Sequence, residues 1–237
     1  MKLRAYGASD IGLVRKRNED SWLLDLERKV FVVADGLGGL PGGNLASAAA
    51  IAAVQTDLAE ASGVPNPGNL RTMVEHAHFA VQAAGQPFAP AQIGTTLTLA
   101  SIRSGGGLLI AHVGDSFAFL VRGTSCRALT REHNVENERA GPLELAPFPP
   151  AHRFALTRIV GGAEPVNPDI FEEKLQSGDR LVLATDGLTD LLDSPQIAEV
   201  CAAHPDPGDA APAFIDAALR AGGHDNITVI VVAVDSV

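Results

Sequence analysis

The chain has 237 residues, 46% apolar and 19% charged, a composition that can bury a sizeable core and lies far from that of disordered chains. Lys and Arg number 18 against 28 Asp and Glu, a net charge of −10, and no basic run with interleaved aromatics occurs, which argues against a nucleic-acid partner. Cys126 and Cys201 are the only cysteines and lack CxxC spacing, which argues against structural zinc and fits a reducing, cytoplasmic setting.

Met1–Asp10 carries no apolar run of signal-peptide length, and the longest aliphatic stretch, Ala46–Val54, is about half a membrane span, so neither export nor an anchor is expected. Phe31–Ala34 reads as the first strand. Two Ala-rich segments of helical length follow, Leu45–Ala61 and Leu70–Ala84, the second with Asn69 as its N-cap. Leu97–Ile102, Leu108–Val113 and Phe117–Val121 are β-rich runs that end near Gly or Asp turns.

Residues 135–154 crowd Pro142, Pro147, Pro149 and Pro150 among few apolar repeats, the composition of a long irregular excursion. Leu181–Ala184 is a further strand, and Gln196–Ala203 and Ala210–Ala221 are further helices, with Ser194 as an N-cap and Pro195 at the first helical position. Ile227–Val234 closes the chain as a strand. Strands in two groups and helices in two pairs, without βαβ alternation, favour an α+β layered sandwich in one domain spanning 1–237.

The chemical signal is an apolar strand that delivers an Asp into a Gly turn. It occurs at Val33-Ala34-Asp35-Gly36, Val113-Gly114-Asp115 and Ala184-Thr185-Asp186-Gly187, and at Gly222-Gly223-His224-Asp225-Asn226 before the last strand. Asp-Gly is a common turn dipeptide, so any one of these is unremarkable. Collected together with Asn18-Glu19-Asp20, they point to a hard divalent cation, which takes oxygen ligands and keeps several waters. Clustered carboxylates repel each other unless a cation joins them.

These motifs, in order, resemble those of the type 2C (PPM) metal-dependent Ser/Thr protein phosphatases of bacteria. Arg15-Lys16-Arg17-Asn18-Glu19-Asp20 resembles the opening RxxNED, Asp35-Gly36-Leu37-Gly38-Gly39 the DGxGG, Gly94-Thr95-Thr96 the GTT and Gly114-Asp115-Ser116 the GDS. Leu129-Thr130-Arg131-Glu132-His133 is similar to LTxDH, Thr157-Arg158 to TR, Thr185-Asp186-Gly187-Leu188 to SDGL and Asp225-Asn226-Ile227-Thr228 to DNIT.

The resemblance implies a central sandwich of two antiparallel β-sheets flanked by pairs of helices, with a metal cleft at one end. It implies that Asp35 bridges two Mn²⁺ or Mg²⁺ ions, that the Gly36 carbonyl joins one of them, and that Asp186 and Asp225 complete the other. Glu19 and Asp20 would hold metal-bound waters without touching the ions. Asp115 and Asp190 match positions of a third, weaker ion. Arg15 would grip the substrate phosphate through its planar fork. The implied reaction is direct attack by a water or hydroxide shared by the metals on phosphoserine or phosphothreonine, with no phosphoenzyme. Implied partners are phosphorylated proteins, among them a eukaryotic-like Ser/Thr kinase and its substrates. Nothing calls for an oligomer, so a monomer is expected.

Several positions depart from the pattern. Leu37 stands where animal members have a histidine thought to protonate the leaving group, leaving His133 and His224 as alternatives beside a structural role for each. Phe117 replaces a usual arginine, Glu132 replaces an Asp, and the Pro-rich excursion falls where bacterial members carry a flap, here slightly shorter and without the usual acidic helix. The alternative function is a catalytically silent phosphoprotein-binding or regulatory module, against which stands the presence of all the metal aspartates.

Overall fold

The structure is a computed structural model, and it describes residues 1–37, 42–61, 63–89, 92–138 and 154–237. Ten strands form two five-stranded antiparallel sheets. One sheet runs β1 (Lys2–Asp10), β10 (Ile227–Ser236), β9 (Arg180–Ala184), β6 (Phe117–Arg122) and β7 (Ser125–Ala128). The other runs β2 (Asp20–Asp25), β3 (Val30–Asp35), β4 (Leu97–Ile102), β5 (Gly107–Val113) and β8 (Asp169–Lys174).

Strand periodicity explains the layers. In β3, Val30, Val32 and Ala34 face outward onto α1 (Gly43–Glu60) and α2 (Pro67–Gly85), while Phe31 and Val33 face the other sheet. In β10, Ile227, Val229 and Val231 meet α5 (Ser194–Ala203) and α6 (Pro207–Ala221), while Ile230, Val232 and Val234 fill the space between the sheets. Both faces of the central strands are therefore buried, which is why these strands are continuous apolar runs. The expected α+β sandwich flanked by helix pairs is the observed fold.

Two helix starts need correction. Asn66, not Asn69, is the N-cap of α2, and Asn69 sits at the third position and completes a reciprocal capping box. Asp193, not Ser194, caps α5 in the same way with Gln196, so Pro195 occupies the second helical position rather than the first. In both cases the true cap is the residue three places before the side chain that answers it. Of the 135–154 excursion, 139–153 lie outside the described residues. Its start is α3 (Val135–Glu138), a single turn that carries Glu136 and Glu138.

Candidate active site

Antiparallel pairing brings the aspartates to one end. Asp20 begins β2 directly opposite Asp35, the last residue of β3. Asp186 opens a one-turn helix, α4 (Asp186–Thr189), just past β9, and Asp225 lies just before β10, whose Val229 pairs with Ala184. Asp115 follows β5, which pairs with the start of β4. A cavity of ≈ 240 Å³ at this end is lined by Arg15, Glu19, Asp35, Gly36, Leu37, Asp115, Asp186 and Asp225, with Thr96, Phe154, Leu156 and Asn226.

Asp20 sits behind this lining and ties the sheets together. Its Oδ2 accepts hydrogen bonds from Thr185 Oγ1 at 2.9 Å and Thr228 Oγ1 at 2.6 Å, both on the opposite sheet. Asp35 is placed through its backbone: its N–H donates to Thr96 Oγ1, and its carbonyl accepts from Thr95 Oγ1 and from the Thr96 N–H. Thr96 is in turn held by Ser116 at 2.8 Å. Gly36 donates its N–H to the Glu19 carbonyl, and a Cβ there would stand 2.2 Å from the Gly43 carbonyl oxygen, so no other residue fits.

The electrostatics are those of acids crowded away from water. Burial, then the charges of Asp20 and Asp186, hold the Asp35 carboxyl well above the usual range. Burial pushes Asp20 up to about 7, and burial together with Asp186 pushes Asp115 up to about 7. Asp186 is also raised, chiefly by burial, and Asp190, although exposed, is raised by partial desolvation. Asp186 and Asp35 also act on each other, Asp186 raising Asp35 further and Asp35 opposing the rise of Asp186. Among the described residues, the one cation in the cavity lining is Arg15, whose guanidinium donates to Asp225 Oδ2 and also faces Asp186 and Asp35.

Among the described residues, two buried carboxylate oxygens at this end, Asp20 Oδ1 and Asp186 Oδ1, have no hydrogen-bond partner, and a third, Asp57 Oδ2 on α1, lies outside the cavity lining. Orphaned acceptors of this kind are costly in a protein interior, and hard oxygen donors with room for solvent suit a divalent cation. Among the described residues, no three His, Cys, Asp or Glu side chains form a ready cage. Asp225 is engaged by Arg15. Cations kept largely by water do not require such a cage.

Asp190 does not line the cavity. It is exposed and lies 3.9 Å from His224 Nε2. His133, considered above as a proton donor, is buried instead, with Nδ1 accepting the Gly114 N–H and Nε2 3.3 Å from Asp169. Phe117 stacks on Phe119 at 5.3 Å under α5 and α6, away from the cleft chemistry. Thr96, Ser116, Thr185 and Thr228 are supporting groups that the sequence alone does not single out. Ser116 and Thr185 adjoin Asp115 and Asp186 in the chain, whereas Thr96 and Thr228 reach their aspartates only through the fold.

A layered α+β sandwich with an acidic, cation-attracting cleft at its strand ends is the class these features define. A family model described as Protein phosphatase 2C matches residues 14–217. Protein phosphatase PhpP of Streptococcus pneumoniae is 31% identical over 241 residues, covering 96% of each chain. The S. agalactiae serine/threonine phosphatase superposes with a TM-score of 0.85 at 31% identity, covering 98% of this chain and 100% of that one. The catalytic domain of the serine/threonine phosphatase PstP, solved with two manganese ions, has a TM-score of 0.82 at 32% identity, covering 98% and 97%. This chain belongs to the protein phosphatase 2C family.

Proposed function

We propose that the chain is a metal-dependent Ser/Thr protein phosphatase that hydrolyses phosphoserine and phosphothreonine without a phosphoenzyme. The observation that carries this reading is the convergence of Arg15 with Asp35, Asp186 and Asp225 in one cavity at the strand ends. Asp35, Asp186, Asp225 and the Gly36 carbonyl would hold two ions, Mn²⁺ or Mg²⁺. Asp115, in the lining, and Asp190, at the rim, would hold a third, weaker one. The ions, when bound, supply a water of lowered pKa and neutralise phosphate charge.

The chain's own residues do the rest. Asp35, Asp186 and Asp225 would meet the ions as ionised carboxylates, so holding them would be pH-dependent. Arg15 leaves Asp225 and turns its fork to two phosphate oxygens, an arrangement a guanidinium makes better than an ammonium. Glu19, at the cavity wall, and Asp20, fixed by Thr185 and Thr228, orient solvent near the ions. Leu37 stands in the lining and no histidine does among the described residues, so solvent is the proton source we propose for the leaving oxygen.

Substrates are phosphorylated proteins, including those of a Ser/Thr kinase and the kinase itself. No helix among the described residues is long and apolar enough to cross a membrane, and both cysteines are free. A cytoplasmic monomer is the setting we propose. The silent-module alternative has no observation in its favour, since each aspartate proposed to hold the first two ions lines the cavity.

The test is hydrolysis of an aryl phosphate and a phosphothreonine peptide with and without Mn²⁺, in wild type and Asp225→Ala. Turnover should need the ion and be lost in the variant. Metal-independent turnover, or a fully active Asp225→Ala protein, would overturn the reading.

A further inference from the structure

We infer that Asn226 is the positioning residue that sets the phosphate-gripping arginine against the carboxylate end of the cleft. This rests on the phosphatase reading above for its kinetic consequence, though not for its geometry. The Asn226 side chain is buried, and three of its hydrogen bonds go to a segment more than 200 positions away. Its Nδ2 donates to the Ile11 carbonyl and to the Arg17 carbonyl, both at 2.9 Å, and its Oδ1 accepts the Glu19 N–H at 2.8 Å.

Those three partners bracket Arg15. Ile11 and Arg17 lie on either side of it, and Glu19 is the next cavity-lining residue. The backbone N–H of Asn226 meanwhile donates to Asp225 Oδ1 at 2.8 Å, leaving Oδ2 for the Arg15 guanidinium. One residue thus sets the height of the Arg15 loop, the start of the Glu19–Asp20 segment and the rotamer of Asp225.

Two backbone features close the same seam. Leu13 donates its N–H to the Gly223 carbonyl at 2.7 Å. Gly12 has φ +77, and a Cβ on it would stand 2.2 Å from the Asp225 carbonyl oxygen, so only glycine lets the loops approach this closely.

The chemistry singles out asparagine. Two donors and one acceptor in a single planar group are needed, and a carboxylate offers acceptors only, which would face two carbonyl oxygens. Turning the amide over would set a donor against the Glu19 N–H and an acceptor against two carbonyls, so the orientation is fixed by its partners. The three side-chain bonds of Asn226 all go to backbone groups of the 11–19 segment, so its effect on phosphate affinity passes through the placement of Arg15.

That routing gives a test that a purely structural role would not satisfy. Asn226→Asp keeps the size of the side chain and loses both donors. It should raise KM for an aryl phosphate and Ki for inorganic phosphate by about tenfold, the usual scale for a partner that orients a binding group. It should change kcat at saturation by less than about threefold. In an Arg15→Ala background the same substitution should add less than about twofold to Ki, because the group it positions is gone. Hydrogen exchange across residues 11–17 should quicken in Asn226→Asp.

Multiplying Ki effects in the double variant, or unchanged exchange in 11–17, would overturn the inference. If Asn226→Asp does not fold, Asn226→Ser, which keeps one donor and one acceptor, takes its place in the same cycle. An inactive wild type would count against the phosphatase reading alone, since the exchange measurement judges the clamp without turnover.

Discussion

At the end of the sandwich away from the cleft, Asp179 is 1% exposed and accepts two hydrogen bonds from the Arg122 guanidinium, at 2.8 and 2.7 Å, and one from the Gln176 N–H. Asp25 is joined there by Arg28, and Asp235 by Arg4. At the cleft end, the strand ends carry Asp20, Asp35, Asp186 and Asp225, and among the described residues Arg15 is the one guanidinium facing them. The far end solves the problem of buried charge with local partners, so those acids are structural. The cleft end leaves it unsolved, and an unsolved excess of carboxylate is what a pair of cations resolves.

The largest expected contrast comes from neutralising one acid at each end. Asp35→Asn should cut Mn²⁺-dependent turnover by more than about 10³-fold while raising the melting temperature of the metal-free protein, because it removes a buried charge among like charges. A lower metal-free melting temperature would place Asp35 among the structural acids. Asp179→Asn should do the reverse, lowering the melting temperature by about 5 °C through lost bonds to Arg122 while turnover stays near wild type.

The pH response should also divide the ends. Asp20 and Asp115, at about 7, and Asp35 and Asp186, raised, sit above the unfolded carboxylate value. A group so raised contributes stability below its unfolded pKa and loses it as pH climbs through the folded one. In EDTA the melting temperature should therefore fall between about pH 4 and pH 7, and Mn²⁺ should restore it most at the upper end. A flat profile in EDTA would mean that the cleft acids carry no strain.

The smallest effects belong to the histidines. His133→Ala should lower stability by about 1–2 kcal/mol, since it strands the Gly114 N–H, without shifting the pH profile of kcat. His224→Gln should alter turnover less than about twofold, as an exposed group outside the cavity lining.

The same contrast explains what the sequence revealed. The six strands read from apolar runs, from Phe31–Ala34 to Ile227–Val234, include all the central strands of both sheets, buried on two faces. The four not read, β1, β2, β7 and β8, are the four sheet edges. An edge strand such as Asp169–Lys174 buries little of either face, so its residues alternate with acids and leave no apolar run. Asp35, Asp115 and Asp186 are legible because each follows a buried strand and adjoins a glycine, and Asp225 because it lies between a Gly-Gly turn and the last strand. Asp20 and Asp35 were legible as acids, but their pairing across β2 and β3 was not, because β2 itself was hidden. Asn226 was quoted in DNIT without a role, since its partners lie at the other end of the chain.

The central claim is that the cleft end, unlike the far end, is built for cations. Calorimetric titration of the metal-free protein with Mn²⁺ at pH 7.5 tests it directly. The account predicts binding of about two ions per chain, with the sites lost in Asp35→Asn and kept in Asp179→Asn. Absence of saturable binding in wild type, or undiminished binding in Asp35→Asn, would contradict it.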